Sequence, residues 1–395
     1  MLTALLLLAA PDISFADARR ISLEQAPQVE LARRRTDVSR AEVGIASALA
    51  NPTFTVTSGL RSARLGTGVS VPLPVFGQRG KAIDAAQSDA RVAELEVEVF
   101  RRDARWAATV AWVDLWEAQE RKRLLDTAAT DAKRVLEIAN EKFSAGTGAQ
   151  VDVLRTRADA FRAVAEAETA GHSTLAAAAR LAPFLGADPQ QPLTASGAPE
   201  YGERLPPLEG LDLLGHPALK RDLGQVAAAE AHLEAEQRLR WPTVNAQVAV
   251  NQFDPGIPNG PDVIFGLSFD LPVLSLRGGA IDRARAQRLL AETNASVETR
   301  QLRAETLDAW QRVEGSAARR LALKAHVLPD LEQTRALTEE GYRMGRLELL
   351  RVLEAQKALL ESRLGEVDAH ATWARAVADL ERAANLTLAG ATLAP

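Results

Sequence analysis

The sequence predicts a mainly helical protein that also carries short membrane β-strands, arranged as two copies of one strand-strand-long helix-helix half. Three observations predict it: a repeat at an offset of 190 to 199 residues, paired stretches of period-2 hydrophobicity, and helical runs too long for a compact globule. The 395 residues are 47% hydrophobic and 25% charged, the mixture of a chain that builds a core. Aromatics are only 5% and alanine abounds, which favours helices with closely spaced axes. Lys+Arg number 47 against Asp+Glu 52, so no global basic face is available for nucleic acid. The absence of cysteine excludes disulfide scaffolds, CxxC zinc sites, thiol nucleophiles and a Cys-anchored lipid.

The chain opens on the apolar run 2–10, followed by the small-x-small triplet Ala16-Asp17-Ala18, and residues 1–18 read as an atypical secretory signal lacking a basic leader. No other stretch approaches the ~20 apolar residues of a spanning helix. Asn51-Pro52-Thr53-Phe54 then recurs as Trp241-Pro242-Thr243-Val244, 190 residues on. Leu73-Pro74-Val75-Phe76-Gly77-Gln78-Arg79-Gly80 recurs 198 residues on, beginning Leu271-Pro272-Val273 and ending Arg277-Gly278. Ala111-Trp112 matches Ala309-Trp310, and Glu141-Lys142-Phe143-Ser144-Ala145-Gly146 matches the segment Glu340 to Gly345 at 199. A period this long is a duplicated half-molecule and not a solenoid unit.

The first half spans 19–182, with strands at about 52–76, a long helix at 79–143 and a return helix at 149–182. Phe54, Val56 and Leu60 alternate with threonines, and Val69, Val71 and Leu73 share one side. The second half spans 218–388, with strands at about 242–273, a long helix at 277–342 and a return helix at 348–388. Val244, Ala246, Val248 and Val250 alternate with polar residues, as do Phe265, Leu267, Phe269 and Leu271. The loop Asp254 to Pro261 between those strands is dense in turn residues. Residues 183–217 form a connector holding seven of the 19 prolines, and 389–395 a tail.

Residues 79–142 contain no proline and would span about 96 Å as one helix. Ile83, Ala90, Val97, Ala104 and Ala111, with Ala86, Ala93, Phe100 and Ala107, form a 3.5-residue seam. The second seam is less regular, and Pro329 implies a kink or break. Gly146, Gly148 and Gly345 permit the helices to stop and reverse.

Exported strands with one polar and one apolar face fit a lipid-exposed barrel wall. Four strands cannot close a barrel, and an open edge in lipid leaves unpaired backbone groups, so the chain must oligomerise. Two copies would supply eight strands and three would supply twelve.

Asn-Pro before a strand, Leu73 to Gly80 opening a long helix, and Phe/Tyr-x-x-Gly followed by Val-Leu resemble the TolC-type outer-membrane efflux proteins, twice over and from Ile21 to Leu388. Pro74 to Lys81 is most similar to the heavy-metal branch, the outer component of cobalt-zinc-cadmium-type systems. The resemblance implies a homotrimer with a twelve-stranded β-barrel in the outer membrane, continued by an α-helical barrel in the periplasm. It implies a passive exit duct, with a periplasmic adaptor (membrane fusion) protein and an inner-membrane pump of the RND type as partners. It also implies a periplasmic tip or gate at Phe143, Gly146, Asp152, Tyr342, Gly345, Arg351 and Glu354, with adaptor docking around Gly148, Arg346 and Leu347. Arg351 departs from the family pattern, where Asp is common, and three copies of it near Asp152 and Glu354 could form ion pairs between subunits.

No enzyme motif competes. His172, His216, His232, His326 and His370 have no partner at ligand spacing, no Gly-x-Ser-x-Gly elbow exists, and Leu65-Gly66-Thr67-Gly68 leads into a strand. No cofactor or stored metal is expected. Five tryptophans, Trp106, Trp112, Trp116, Trp310 and Trp373, fall in helical segments as packing residues, whereas Trp241 suits a membrane interface or the cap position of Asn51. The alternatives are a periplasmic coiled-coil adaptor or spacer, and a duct for drugs or other small molecules.

Overall fold

The computed structural model describes residues 11–58, 65–201, 213–252, 261–272 and 276–388. Residues 2–10, Leu60, most of the 254–261 loop, Val273, Pro206, Pro207 and the tail lie outside that set. Two compact units divide the chain, each gathered from separate stretches. One comprises Leu31–Val99 with Pro217–Arg300, the other Met1–Glu30, Phe100–His216 and Gln301–Pro395.

The first of these units carries the sheet. Strands β2 (Thr53–Thr57), β3 (Leu65–Leu73), β5 (Thr243–Gln252) and β6 (Asp262–Asp270) pair antiparallel in the order β2-β3-β5-β6. The two halves of the repeat therefore meet at β3 and β5, where Val69 faces Val248 and Leu73 faces Val244. Registers Phe54↔Val69, Val69↔Val248 and Val248↔Phe265 put Phe54, Val56, Val69, Val71, Val248, Phe265 and Leu267 on one face, while Ala249 and Ile264 fall on the other. The same unit holds most of α2 (Pro27–Ser47), the start of α3 (Gln78–Ser144) and α5 (Pro217–Arg238). Thr36 on α2 donates to the carbonyl of Ala93 at 3.2 Å, and Arg40 pairs with Glu94 at 2.8 Å. On α5, Gly224 permits close approach to α3, since a Cβ there would lie 3.0 Å from Leu95. Lys81–Glu234 and His232–Asp89, each at 2.8 Å, flank that contact. Leu233 packs on Ile281 and Ala284 of α6 (Gly278–Ala322).

Helices α2 and α5 precede the strands of each half, and the sequence reading, which opened each half on its strands, did not assign them. Their signal was a proline at the first helical position, Pro27 and Pro217, where the missing N–H costs nothing.

The second unit is helical. The remainder of α3 packs with α4 (Gln150–Leu181), where Thr174 donates to the Ala118 carbonyl at 3.3 Å, and α7 (Leu328–Arg343) packs with α8 (Leu349–Ala384). Trp112, Leu115, Leu181 and Leu380 are wholly buried at its centre. Ala369, Ala371, Ala374, Ala376 and Ala378 are buried along α8, so the alanine content brings helix axes together. A parallel pair, β1 (Asp12–Ser14) with β4 (Thr194–Ser196), ties the connector to the N-terminal segment. Ser14 caps α1 (Phe15–Gln25), Trp112 donates to the Ile13 carbonyl at 2.8 Å, and Phe15 meets Trp112 edge-on. Ala18 is fully buried, so the cleavage position expected after Ala18 falls inside a folded helix. Arg19 reaches Glu381 through two contacts of 2.8 and 2.9 Å, both side chains nearly inaccessible.

Between α6 and α7 the helix passes through one π turn, Leu323–Val327, immediately before Pro329. The wider turn absorbs the missing N–H and the ring of Pro329 without ending the helical path. Pro329 therefore produces a local rewinding.

Candidate functional site

The two reversals of the helical unit are the places where sequence reading concentrated functional residues. The α3–α4 turn is closed by the Thr147 and Gly148 N–H groups, both donating to the Lys142 carbonyl at 2.9 Å. The α7–α8 turn repeats this 199 residues later: Arg346 and Leu347 donate to the Gly341 carbonyl at 2.9 and 3.2 Å. Gly146 (φ 74°) and Gly345 (φ 71°) occupy the left-handed position each turn demands. In the return helices Asp152 N–H donates to Ala149 and Arg351 N–H to Glu348, again at equivalent places.

Side chains separate the turns. Tyr342 is buried with Val135, Leu349 and Val352, whereas its equivalent Phe143 is 47% exposed. The Lys142 ammonium lies 3.6 Å from the Tyr342 ring centroid and donates to the Tyr342 carbonyl at 3.2 Å. Burial, and then the charge of Asp152, push the Tyr342 hydroxyl above its ordinary range. Lys142, Thr147, Gly148, Asp152, Tyr342 and Glu348 line a groove of about 510 Å³ between the turns.

Tyr342 and Asp152 are thus brought to one groove. Arg351 is highly exposed and contacts Glu354 of its own helix at 3.4 Å. Among the described residues no ion pair joins Arg351 to Asp152. Met344 and Leu347 are also exposed. Lys142 was missed by sequence reasoning, although the repeat held a signal. Lys142 stands where the other turn has Gly341, and Gly148 where it has Leu347. The exchange is reciprocal in space: a Cβ on Gly148 would lie 3.0 Å from the Lys142 Cβ, and one on Gly341 would lie 2.7 Å from Leu347 Cδ1.

The sheet is the second candidate surface. Its apolar face is bare: Phe54 is 65% exposed, Phe265 79% and Leu267 61%. Its other face carries Thr53, Thr55, Ser70, Gln247, Asn251, Ser268 and Asp270 by register, with Asn245 donating to Asp270 at 3.2 Å. Gly66 and Gly266 leave room for Asn251 and Gln247 to lie across that polar face. Among the described residues, both outer strands, β2 and β6, have one unpaired edge. Trp241, half exposed, stacks on Phe76 at 5.6 Å where β3 ends and β5 begins, and Gln78 donates to the carbonyls of Trp241 and Pro242. None of the described helices is long and apolar enough to cross a membrane. Among the described residues no group of three His, Asp or Glu could hold a metal ion.

Residues 19–187 match the sequence profile of the family described as outer membrane efflux protein. The cobalt-zinc-cadmium resistance protein CzcC of Cupriavidus metallidurans is 24% identical over 360 residues, covering 87% of this chain and 84% of that protein. Protein CyaE of Bordetella pertussis is 28% identical over 257 residues, 59% of this chain and 53% of its own. Among solved structures, CusC superposes with a TM-score of 0.79 at 15% identity, covering 94% of this chain and 92% of that one. The outer-membrane channel OprN gives 0.78 at 18%, covering 93% and 89%.

Proposed function

We propose that this chain, whose residues 19–187 match the outer membrane efflux protein family, is the exit duct through which a tripartite system expels heavy-metal cations. It is a passive channel of the bacterial outer membrane and not an enzyme. The observation that carries the duct reading is the sheet itself, with one bare apolar face, one polar face and two free edges. Such a sheet is satisfied in lipid only when further copies complete a barrel with its polar face inward. Three copies supply twelve strands, and the helical unit of each copy contributes to a tube in the periplasm. The partners in this reading are two further copies of the chain, outer-membrane lipid, a periplasmic adaptor and an RND-type pump.

Heavy-metal cargo is supported by the likeness to CzcC along most of the chain and by the segment Pro74 to Lys81. A duct needs no stored ligand for its cargo. The paired turns are the periplasmic tip, with Phe143, Gly146, Asp152, Tyr342, Gly345, Arg351 and Glu354 at the constriction and Gly148, Arg346 and Leu347 offered to the adaptor. Conductance of the detergent-extracted protein in planar bilayers tests the duct: discrete channels are expected, with a small conductance that rises in Arg351→Ala. An unchanged conductance removes Arg351 from the constriction, and a protein that forms no channel overturns the duct. Loss of zinc, cobalt or cadmium tolerance on deletion, with drug tolerance intact, is the outcome expected for metal cargo.

A further inference from the structure

We infer that the junction between the sheet and its helices is a collar for anionic phospholipid, in which Trp241 and Phe76 seat against the acyl boundary and Arg238 and Arg240 hold the headgroup phosphates. The inference rests on the duct reading and deepens it by naming the lipid that this end of the sheet takes. Four connections meet here, because β2 and β5 begin at this end and β3 and β6 finish at it. Each presents large apolar side chains beyond the ladder. Leu49 lies before β2, Val75 after β3, Leu239 and Trp241 before β5, and Leu271 and Leu276 after β6, all between 42% and 71% exposed. A surface meant for water alone does not gather apolar groups in this way.

Phe76 and Trp241 stand opposite each other three pairs beyond Leu73↔Val244, so their stack extends the ladder register as a platform. Gln78 fixes it by donating to the Trp241 and Pro242 carbonyls at 3.3 and 3.1 Å. Strand β5 has 10 residues, the length of a tilted strand that crosses the hydrocarbon layer. It begins at Thr243, so Trp241 and Arg240 lie two and three residues outside that layer, at most about 10 Å along the chain. With strands tilted by about 45°, that is a depth of about 7 Å. The headgroup layer on each side of a bilayer is about 5–8 Å thick, which puts both side chains at the level of the phosphates.

Charge selects the lipid. Lys81 pairs with Glu234 and Arg277 with Glu236, each at 2.8 Å, and the Arg79 guanidinium donates to the Ser47 carbonyl. Glu234 and Glu236, the acidic residues nearest in sequence to the collar, are thereby taken. Asp270 lies on the polar face, bonded to Asn245. Arg238 and Arg240 are exposed, and among the described residues neither has a carboxylate partner. A guanidinium grips a phosphodiester with two parallel hydrogen bonds and keeps its charge at any pH a cell meets. Phosphatidylglycerol and cardiolipin offer that phosphate alone, whereas a zwitterionic lipid sets beside it an ammonium that repels the same arginine. Each arginine at this depth is worth about a fivefold preference for the anionic lipid.

Fluorescence quenching in vesicles tests the collar. The full-length protein is reconstituted in phosphatidylcholine vesicles doped with either phosphatidylglycerol or phosphatidylcholine brominated high on the acyl chain. The Trp241 signal is the difference between wild type and Trp241→Phe. Brominated phosphatidylglycerol is expected to quench that signal at a mole fraction at least about fivefold lower than brominated phosphatidylcholine. Arg238→Gln with Arg240→Gln is expected to abolish the preference with conductance unchanged, and Arg238→Lys with Arg240→Lys to keep part of it. Equal quenching by the two lipids in the wild type, or a preference that survives the double Gln variant, overturns the collar. Quenching by neither lipid in a protein that still conducts puts Trp241 against protein, which overturns the collar and leaves the duct standing. A wild type that forms no channel removes the duct and the collar together. A second readout is the lipid carried through purification from native membranes. Phosphatidylglycerol or cardiolipin is expected to accompany the wild type and to fall at least about fivefold in the double Gln variant. Unchanged lipid content counts against the two arginines as its holders.

Discussion

The turn joining α3 to α4 and the turn joining α7 to α8 share their backbone hydrogen bonds and differ in what they pack. In the first, Gly148 is pressed against backbone and Lys142 extends towards the ring of Tyr342. In the second, the large residue has moved to Leu347 and the glycine to position 341. Each turn accommodates one bulky side chain at a crossing point, and duplication has let them choose opposite sides. Backbone geometry is thus the inherited part of this site, and the side chains are where the halves have diverged.

The sharpest way to break the comparison is Gly148→Leu, which gives the first turn the residue of the second. Its Cβ would lie 2.9 Å from the Phe143 nitrogen and 3.0 Å from the Lys142 carbonyl carbon, and backbone cannot yield as a side chain can. A loss of about 1–3 kcal/mol is expected in denaturant unfolding. Gly341→Ala meets only the Leu347 side chain, so a smaller loss is expected, reversed when Leu347→Gly is added. Next come Gly146→Ala and Gly345→Ala, each expected to cost about 1–2 kcal/mol for a left-handed backbone. Unequal losses would show that matched hydrogen bonds do not mean matched strain.

A control away from both turns is His370, whose imidazole is held down at about 4 by burial and then by Arg320 and Lys324. Between its ordinary value near 6.5 and about 4 the unfolded chain binds a proton that the folded chain refuses, so stability falls as pH drops through that window. His370→Phe is expected to flatten the dependence of melting temperature on pH there. Lys142→Met should cost about 0.5–1 kcal/mol by removing the ammonium from the Tyr342 ring. Arg351→Ala is the smallest, within about 0.5 kcal/mol, because its contact with Glu354 is exposed on both sides.

The duplication made the fold class legible, because strand alternation and proline-free helical runs each appear twice in the same order. The glycines at 146 and 345 were legible for the same reason. Helices α2 and α5 were not: α2 carries Arg33, Arg34 and Arg35 in succession, which hides its buried Ala32 and Thr36 from a reading by hydrophobic runs. At the candidate site, the approach of Lys142 to Tyr342 joins residues 200 apart, and no local pattern encodes that contact. The reciprocal exchange of Lys142/Gly148 for Gly341/Leu347 was visible in the repeat, and only the distances explain it.

The buried pair of Arg19 and Glu381 spans 362 residues of chain. A cell synthesises and exports this protein from its N-terminus, so Arg19 emerges long before its buried acidic partner Glu381 exists. Phe15 and Trp112 likewise wait for Tyr201 and Trp373 to finish their aromatic cluster. The helical unit therefore reaches its final packing only when the last helix has been delivered, and the chain crosses the inner membrane with its first helix still unsecured. Late closure of this kind makes folding slow and leaves the early segments in need of protection on the way.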